Sequence, residues 1–281
     1  MNFYKIKSYA KINLALNVIG KNKNLHKIES IISFIDLCDE IFIKNIKSKD
    51  HFVKFYGKFS KNIQKNNTIS KLLNQLDKKK LLKKKKFQIK VNKKIPVKAG
   101  LGGGSMNAAN ILRYFIKKKI LKTNKKNLIH ISNLISSDMV LGLSKRNLIL
   151  TSNDKIKFFS NITKFHILLV KPNFGCSTKE IYSKVKKFNK PKFNNPNKKM
   201  FDINFLKKMQ NSLEPIAIAK YPKLRSIKSY LESFTEPFFV RMTGSGSVMV
   251  AYFHSKAGCD KVKKMFDKKY KNYWSMTSKT I

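Results

Sequence analysis

Acidic side chains are what this chain lacks most. It has 15 Asp and Glu against 61 Lys and Arg in 281 residues, a formal net charge of +46. Such a balance suggests a polyanionic partner first. The scarcity of arginine argues against it, because only Arg113, Arg146, Arg225 and Arg241 carry the planar fork that base readers and tight phosphate clamps favour. The excess of lysine comes with an excess of Asn, Ile and Phe, all with codons rich in A and T, so genome-wide base bias accounts for the four together. A surface selected for polyanions is the alternative, and non-specific adhesion to nucleic acid at low salt is expected either way. Cysteine is scarce too. Cys38, Cys176 and Cys259 are odd in number, far apart and without a CxxC pair, which argues against a disulfide framework or a zinc site. Long hydrophobic runs are missing, and none approaches the ~18–20 residues of a membrane span. The apolar "INLALNVI" (12–19) is short, interrupted by Asn13 and Asn17, and lacks a small-residue cleavage pattern, so it is not read as a signal peptide. A reduced, cytoplasmic protein is the expectation.

Length suggests two domains at about 150 residues each. "KIKSYAKINLALNVIG" reads as a strand. "HKIESIISFIDLCDEIFIKNI" reads as two more, broken around Asp36 to Glu40. "NTISKLLNQLDKKKLLKK" has helical spacing through Ile69, Leu72, Leu73 and Leu76. "FQIKVNKKI" alternates, with Phe87, Ile89 and Val91 on one face. Helices are predicted from about Ser105 and over roughly 126–134, and a hairpin turns at Asn153-Asp154. A boundary near 160 is followed by a strand–turn–helix, a polar loop at 189–200, two helices around 203–232, a strand–turn–strand at 238–253, a helix near 256–268 and a last strand. Helices and strands interleave without a regular βαβ rhythm, which favours α+β. The lysine runs read as solvated helix faces.

Glycine is also sparse, yet four of the 11 glycines fall within five positions of "KIPVKAGLGGGSMNAANILRYF" (94–115). A Walker A loop is excluded, because Gly104 is followed by Ser105-Met106. A dinucleotide GxGxxG is excluded, because Ser105 stands where its third glycine belongs. Phosphate remains the expected ligand. Consecutive glycines let the backbone approach closely and take positive φ, and successive N–H groups can form an anion nest. The following helix adds its unpaired amides and the positive end of its dipole. Ser105 is expected to cap that helix. The alternative is a sharp strand-to-helix corner with no ligand.

"PVKAGLGGGSMNAA" resembles the second motif of the galactokinase, homoserine kinase, mevalonate kinase and phosphomevalonate kinase superfamily. "SYAKINLALNV" is similar to its first motif, "SSDMVLGL" (136–143) to its GADVPFF-like segment, and "RMTGSGSVMVAYF" to its third. The matches span almost the whole chain in the family's order. The extended GLGGGS-x-NAA form is most similar to the branch that acts on a cytidine-diphosphate-linked methylerythritol in the non-mevalonate isoprenoid pathway. The resemblance implies a two-domain α+β small-molecule kinase fold, with an N-terminal ATP-binding domain over 1–160 and a C-terminal substrate-binding domain over 161–281.

It also implies roles. Asp138 matches the aspartate that takes the substrate hydroxyl's proton, and Lys11 the lysine that pairs with it and stabilises the forming alkoxide. The ATP phosphates are implied along Pro96, Gly100, Leu101, Gly102, Gly103, Gly104, Ser105, Met106 and Asn107. Asn13 and His26 match readers of the cytidine end. Thr178 and Tyr182 resemble the far wall of that pocket, with Tyr182 placed to stack on the base. Thr243 and Gly244, with Ser245 and Gly246, would close over the phosphates or the sugar phosphate. Magnesium is implied with the ATP, Ser105 is its candidate contact, and no protein carboxylate is dedicated to it. The implied partner is a small-molecule substrate, not a specific nucleic acid or a membrane, and the implied state is a monomer or weak homodimer. Four departures stand out: Leu25 replaces an aromatic, Val140 a proline, Met106 a serine, and Ser136-Ser137 a Gly-Ala. A homoserine- or mevalonate-type kinase is the alternative on the same fold. A basic RNA- or membrane-binding protein is the alternative of another class.

Overall fold

The computed structural model describes residues 2–22 and 25–281. Two long strands open the chain, β1 (Tyr4–Asn22) and β2 (Leu25–Ile46), and they pair with each other. The break expected near Asp36 to Glu40 does not occur, and β2 runs through it. Leu37, Asp39, Ile41 and Ile43 all face inward there, while Asp36, Cys38 and Glu40 are more exposed. Asp39 therefore keeps the two-residue period of a strand and serves as a buried acceptor instead of a turn signal.

Next come β3 (Phe52–Tyr56), α1 (Thr68–Lys78), β4 (Lys86–Asn92), α2 (Gly103–Lys117) and α3 (Lys125–Ile135). Asn67 starts α1 by accepting from the Ile69 and Ser70 amides, while Ser70 Oγ accepts from the Asn67 amide. β4 alternates as predicted, with Phe87, Ile89 and Val91 buried, and it lies antiparallel to β2 and parallel to β3. A 3-10 helix at Ser137–Leu143 follows α3.

The remaining elements are β5 (Asn147–Leu150), β6 (Ile156–Phe159), β7 (His166–Lys171), α4 (Thr178–Ser183), α5 (Ile203–Lys207), α6 (Glu214–Lys220), α7 (Lys223–Glu232), β8 (Phe239–Met242), β9 (Met249–Phe253), α8 (Lys256–Lys269) and β10 (Trp274–Lys279). The β5–β6 hairpin turns at Asp154 in the left-handed region, φ +57°. Three helices occupy 203–232 where two are predicted, because Pro215 stands in the first turn of α6 and Pro222 precedes α7, and proline begins helices better than it continues them. Strands β10, β7, β9 and β8 form an antiparallel sheet in that order. The fold is α+β.

Residue contacts gather the chain into two units that interleave in sequence. One comprises the segment ending at Ala10, Leu37–Pro96 and Gly102–Lys145, and its core includes Ile41, Leu72, Phe87, Ile111, Phe115 and Met139. The other comprises Lys11–Asp36, Val97–Leu101 and Arg146–Ile281, with a core including Leu16, Leu168, Leu224, Met242, Phe253 and Phe266. The glycine-rich turn is thus shared along the chain, 97–101 in one unit and 102–105 in the other. Among the described residues no helix is long and apolar enough to cross a membrane.

Candidate active site

In the unit holding 97–101, the first half of the glycine-rich turn packs against the third motif. Gly100 adopts φ +76°, and a Cβ there would lie 2.0 Å from the Thr243 carbonyl oxygen. Gly244 adopts φ +54°, and its missing Cβ would lie 3.0 Å from the Gly100 carbonyl oxygen. Gly246, at φ +84°, would meet Met242 Sδ at 2.8 Å. These glycines are required by neighbouring protein atoms. Thr243 is buried and joins the two turns: its hydroxyl accepts from the Asn13 amide at 3.0 Å and donates to the Gly100 carbonyl at 3.3 Å. Asn211 donates to the carbonyls of Met242 and Gly244, both at 2.8 Å, and holds the second turn. Nothing in the sequence singles Asn211 out.

Lys11 and Asn13 leave β1 on the same side, two residues apart. Lys11 is buried, its amide donates to the Leu101 carbonyl at 3.1 Å, and its ammonium donates to Asn13 Oδ1 at 2.7 Å. Asn13 Nδ2 donates to Ser30 Oγ at 2.8 Å. Both ends of the Asn13 amide are therefore engaged by protein groups. Its Oδ1 orients the Lys11 ammonium.

His26 and Tyr182 come together in the same unit, with ring centroids 5.1 Å apart. Phe188, which the sequence did not mark, lies 6.4 Å from His26 and is 48% exposed. Leu25 is 74% exposed. His26 Nε2 is buried and has no hydrogen-bond partner among the described residues. Burial, and secondarily Lys21, holds the imidazole below its ordinary pKa, so it is neutral at neutral pH. A neutral ring nitrogen without a partner, beside aromatic rings, suits the edge of a planar heterocycle. Thr178 begins α4 after the capping Ser177, and its hydroxyl is 2.9 Å from Ser245 Oγ in the third motif.

In the other unit, Pro96 is buried where the chain enters the turn, and α2 begins at Gly103. Its N-cap is Gly102, left-handed at φ +66°, and no side chain caps the first turn. Ser105 is therefore not the cap the sequence suggested. It is the third helical residue, and its hydroxyl is 2.8 Å from Ser136 Oγ. Gly103 and Gly104 face only side chains: a Cβ would come 3.0 Å from Ile95 Cγ2 in the first case and 3.1 Å from Thr68 Oγ1 in the second. Thr68 Oγ1 donates to the Gly104 carbonyl at 2.8 Å and steadies the turn. An uncapped helix start built from three glycines fits a phosphate, because its amides still need acceptors and the helix dipole favours negative charge.

Two residues expected at the phosphates turn inward instead. The Met106 amide donates to the Gly102 carbonyl at 2.9 Å, and its side chain is buried against Gly142. Asn107 is buried and donates to Asp39 Oδ2 at 2.8 Å. One turn of α2 carries both side chains past the surface. Asp138 lies in the first turn of the 3-10 helix and is partly exposed, while its neighbours Met139, Leu141 and Gly142 anchor that helix in the core.

Residues 67–145 match the GHMP kinases N terminal domain. The chain is 58% identical, over all of its own length and all of the relative's, to the 4-diphosphocytidyl-2-C-methyl-D-erythritol kinase of Pelagibacter ubique. Among solved structures it resembles a 4-(cytidine 5'-diphospho)-2C-methyl-D-erythritol kinase at TM-score 0.78 and 19% identity, covering 98% of this chain and 99% of that one. It also resembles the homoserine kinase of Cytophaga hutchinsonii at TM-score 0.74 and 16% identity, covering 100% and 95%. Those two likenesses describe the fold and barely separate one substrate class from another. Full-length identity of 58% does separate them, and by it the chain belongs to the family of 4-diphosphocytidyl-2-C-methyl-D-erythritol kinases.

Proposed function

We propose that this chain transfers the γ-phosphoryl group of ATP to the 2-hydroxyl of 4-diphosphocytidyl-2-C-methyl-D-erythritol, as a cytoplasmic step in the non-mevalonate route to isoprenoids. The observation that carries the nucleotide half is the uncapped start of α2 at Gly102–Ser105, which leaves first-turn amides for phosphate oxygens. Supporting the cytidyl half are the unpartnered His26 Nε2 beside Tyr182 and the full-length likeness to a kinase named for that substrate.

Phosphoryl transfer asks the protein mainly for positioning and charge stabilisation. The substrate oxygen forms a bond to the γ-phosphorus, the bond to the bridging oxygen of ADP breaks, and the hydroxyl proton moves to Asp138. The Lys11 ammonium, aimed by Asn13, stabilises the oxygen as it becomes anionic. The Ser105 hydroxyl would hold a magnesium ion bound with the nucleotide, and that ion would supply neutralisation of phosphate charge. Residues 1–160 then carry the nucleotide-binding turn, and 161–281 carry the substrate-side Thr178 and Tyr182, which His26 joins from β2.

Release of ADP from ATP and magnesium tests the reading, with the cytidyl substrate in one reaction and homoserine in another. Turnover is expected only with the cytidyl substrate. ADP release with homoserine alone would remove the substrate assignment.

A further inference from the structure

Asp39 is a fully buried acid on the inward face of β2, in a chain that has few acids. Four donors converge on it. Its Oδ1 accepts from the amides of Lys94 at 2.8 Å and Ile95 at 2.9 Å, where the chain leaves β4 for the glycine-rich turn. Its Oδ2 accepts from the ammonium of Lys93, itself buried, and from Asn107 Nδ2 at 2.8 Å, in the first turns of α2. The Lys93 ammonium lies where Gly103 lacks a side chain, since a Cβ on Gly103 would be 3.3 Å from Nζ. One carboxylate thus ties the strand that enters the turn to the helix that leaves it.

Stability alone is a poor reason for this arrangement. Taking a carboxylate and an ammonium out of water costs several kcal/mol per ion, and apolar residues of similar volume often serve as well. What apolar packing cannot supply is direction: a carboxylate with both oxygens used fixes the angle and spacing of every donor around it. The turn needs that help. Gly102, Gly103 and Gly104 have no side chains with which to hold their own amides in a convergent array.

We infer that Asp39, with Lys93 and Asn107, is a positioning cluster for nucleotide binding: it sets the separation between residues 94–95 and the start of α2, and thereby the convergence of the phosphate-binding amides. The inference rests on the nucleotide half of the proposed function and is independent of which alcohol accepts the phosphoryl group.

The test uses the full chain with two variants. Asp39→Asn/Lys93→Met removes both buried charges together, so that neither is left unpaired. Asn107→Ala cuts only the tie to α2. Magnesium-ATP affinity is measured by calorimetry, the KM of each substrate by ADP release, and the unfolding temperature by calorimetric scan. The double variant is expected to bind ATP at least ~10-fold more weakly, and Asn107→Ala ~3- to 10-fold more weakly, the range of one or two misplaced hydrogen bonds. The KM of the cytidyl substrate should stay within about 2-fold and the unfolding temperature within ~4 °C of the unaltered protein. Unchanged ATP affinity in both variants overturns the inference. So does failure of both to fold, or an equal rise in both KM values that tracks lost stability, since these describe a structural cluster only. If the unaltered protein binds ATP but does not phosphorylate the cytidyl compound, the substrate reading fails while the ATP affinities still decide this one.

Discussion

The two halves of the glycine-rich turn look alike in sequence and differ in what surrounds them. At Gly100 a side chain would run into the backbone of Thr243 at 2.0 Å, and at Gly244 the reciprocal approach is also to backbone, at 3.0 Å. At Gly103 and Gly104 the nearest atoms belong to the side chains of Ile95 and Thr68, at 3.0 and 3.1 Å. The first half is glycine because protein fills the space. The second half is glycine at a helix start that no side chain caps. A count of glycines therefore overstates the ligand's share of the turn, since six of the 11 lie in these two turns and three of those six are required by protein contacts.

The comparison can be broken by substitution. Gly100→Ala is expected to cost more than ~3 kcal/mol, from a strained φ and a backbone clash, and to leave little folded protein. A stable Gly100→Ala protein would refute the packing account of the first half. Asp138→Asn should lower kcat by at least ~10²-fold, the range of general-base loss, with ATP affinity intact. Wild-type turnover in that variant would take Asp138 out of the role. Gly104→Ala should gain up to ~1 kcal/mol of helix propensity, offset by the contact with Thr68, and so unfold near the normal temperature. It should nevertheless raise the KM of ATP roughly 5-fold by crowding the phosphates. A large loss of stability there would erase the distinction between the halves.

On the substrate side, His26 is held neutral because burial lowers its pKa. A depressed pKa keeps the neutral form above the ordinary value of about 6.5 and loses it as pH falls through the folded-state value. The KM of the cytidyl substrate should thus be flat above pH 7 and rise on acidification, and a His26→Gln variant should flatten that rise. The smallest effect is expected from Leu25→Tyr, which restores the aromatic that the family resemblance implies there and should tighten substrate binding by ~0.5–1.5 kcal/mol. An unchanged KM would mean that position 25 does not border the base.

Local signals were legible wherever neighbours in sequence settle the matter. The alternation of β4, the helical spacing of α1, the turn at Asp154 and the ordered run of motifs need only adjacent residues, and adjacent residues gave the α+β class and the kinase resemblance. The acids at 36–40 misled because a buried acid and a turn acid look the same until the partners are known. Lys93, Lys94, Ile95 and Asn107 stand more than fifty residues from Asp39. Ser105 misled because the cap position depends on where the helix starts, and Gly102 in the left-handed region moved that start two residues earlier.

Motif order by itself carried the family resemblance, which implies the position of the phosphate turn and the pair of residues proposed for proton transfer and charge, because those depend on which groups are present and in what order. Only the tertiary structure decided that Thr243 holds Gly100, that Asn13 serves Lys11, that Phe188 stands near His26 and that Asp39 gathers both ends of the turn. Each of these is a contact between residues with no local preference for one another, and the hydrogen bonds among them form because a polar group buried by folding must find its partner.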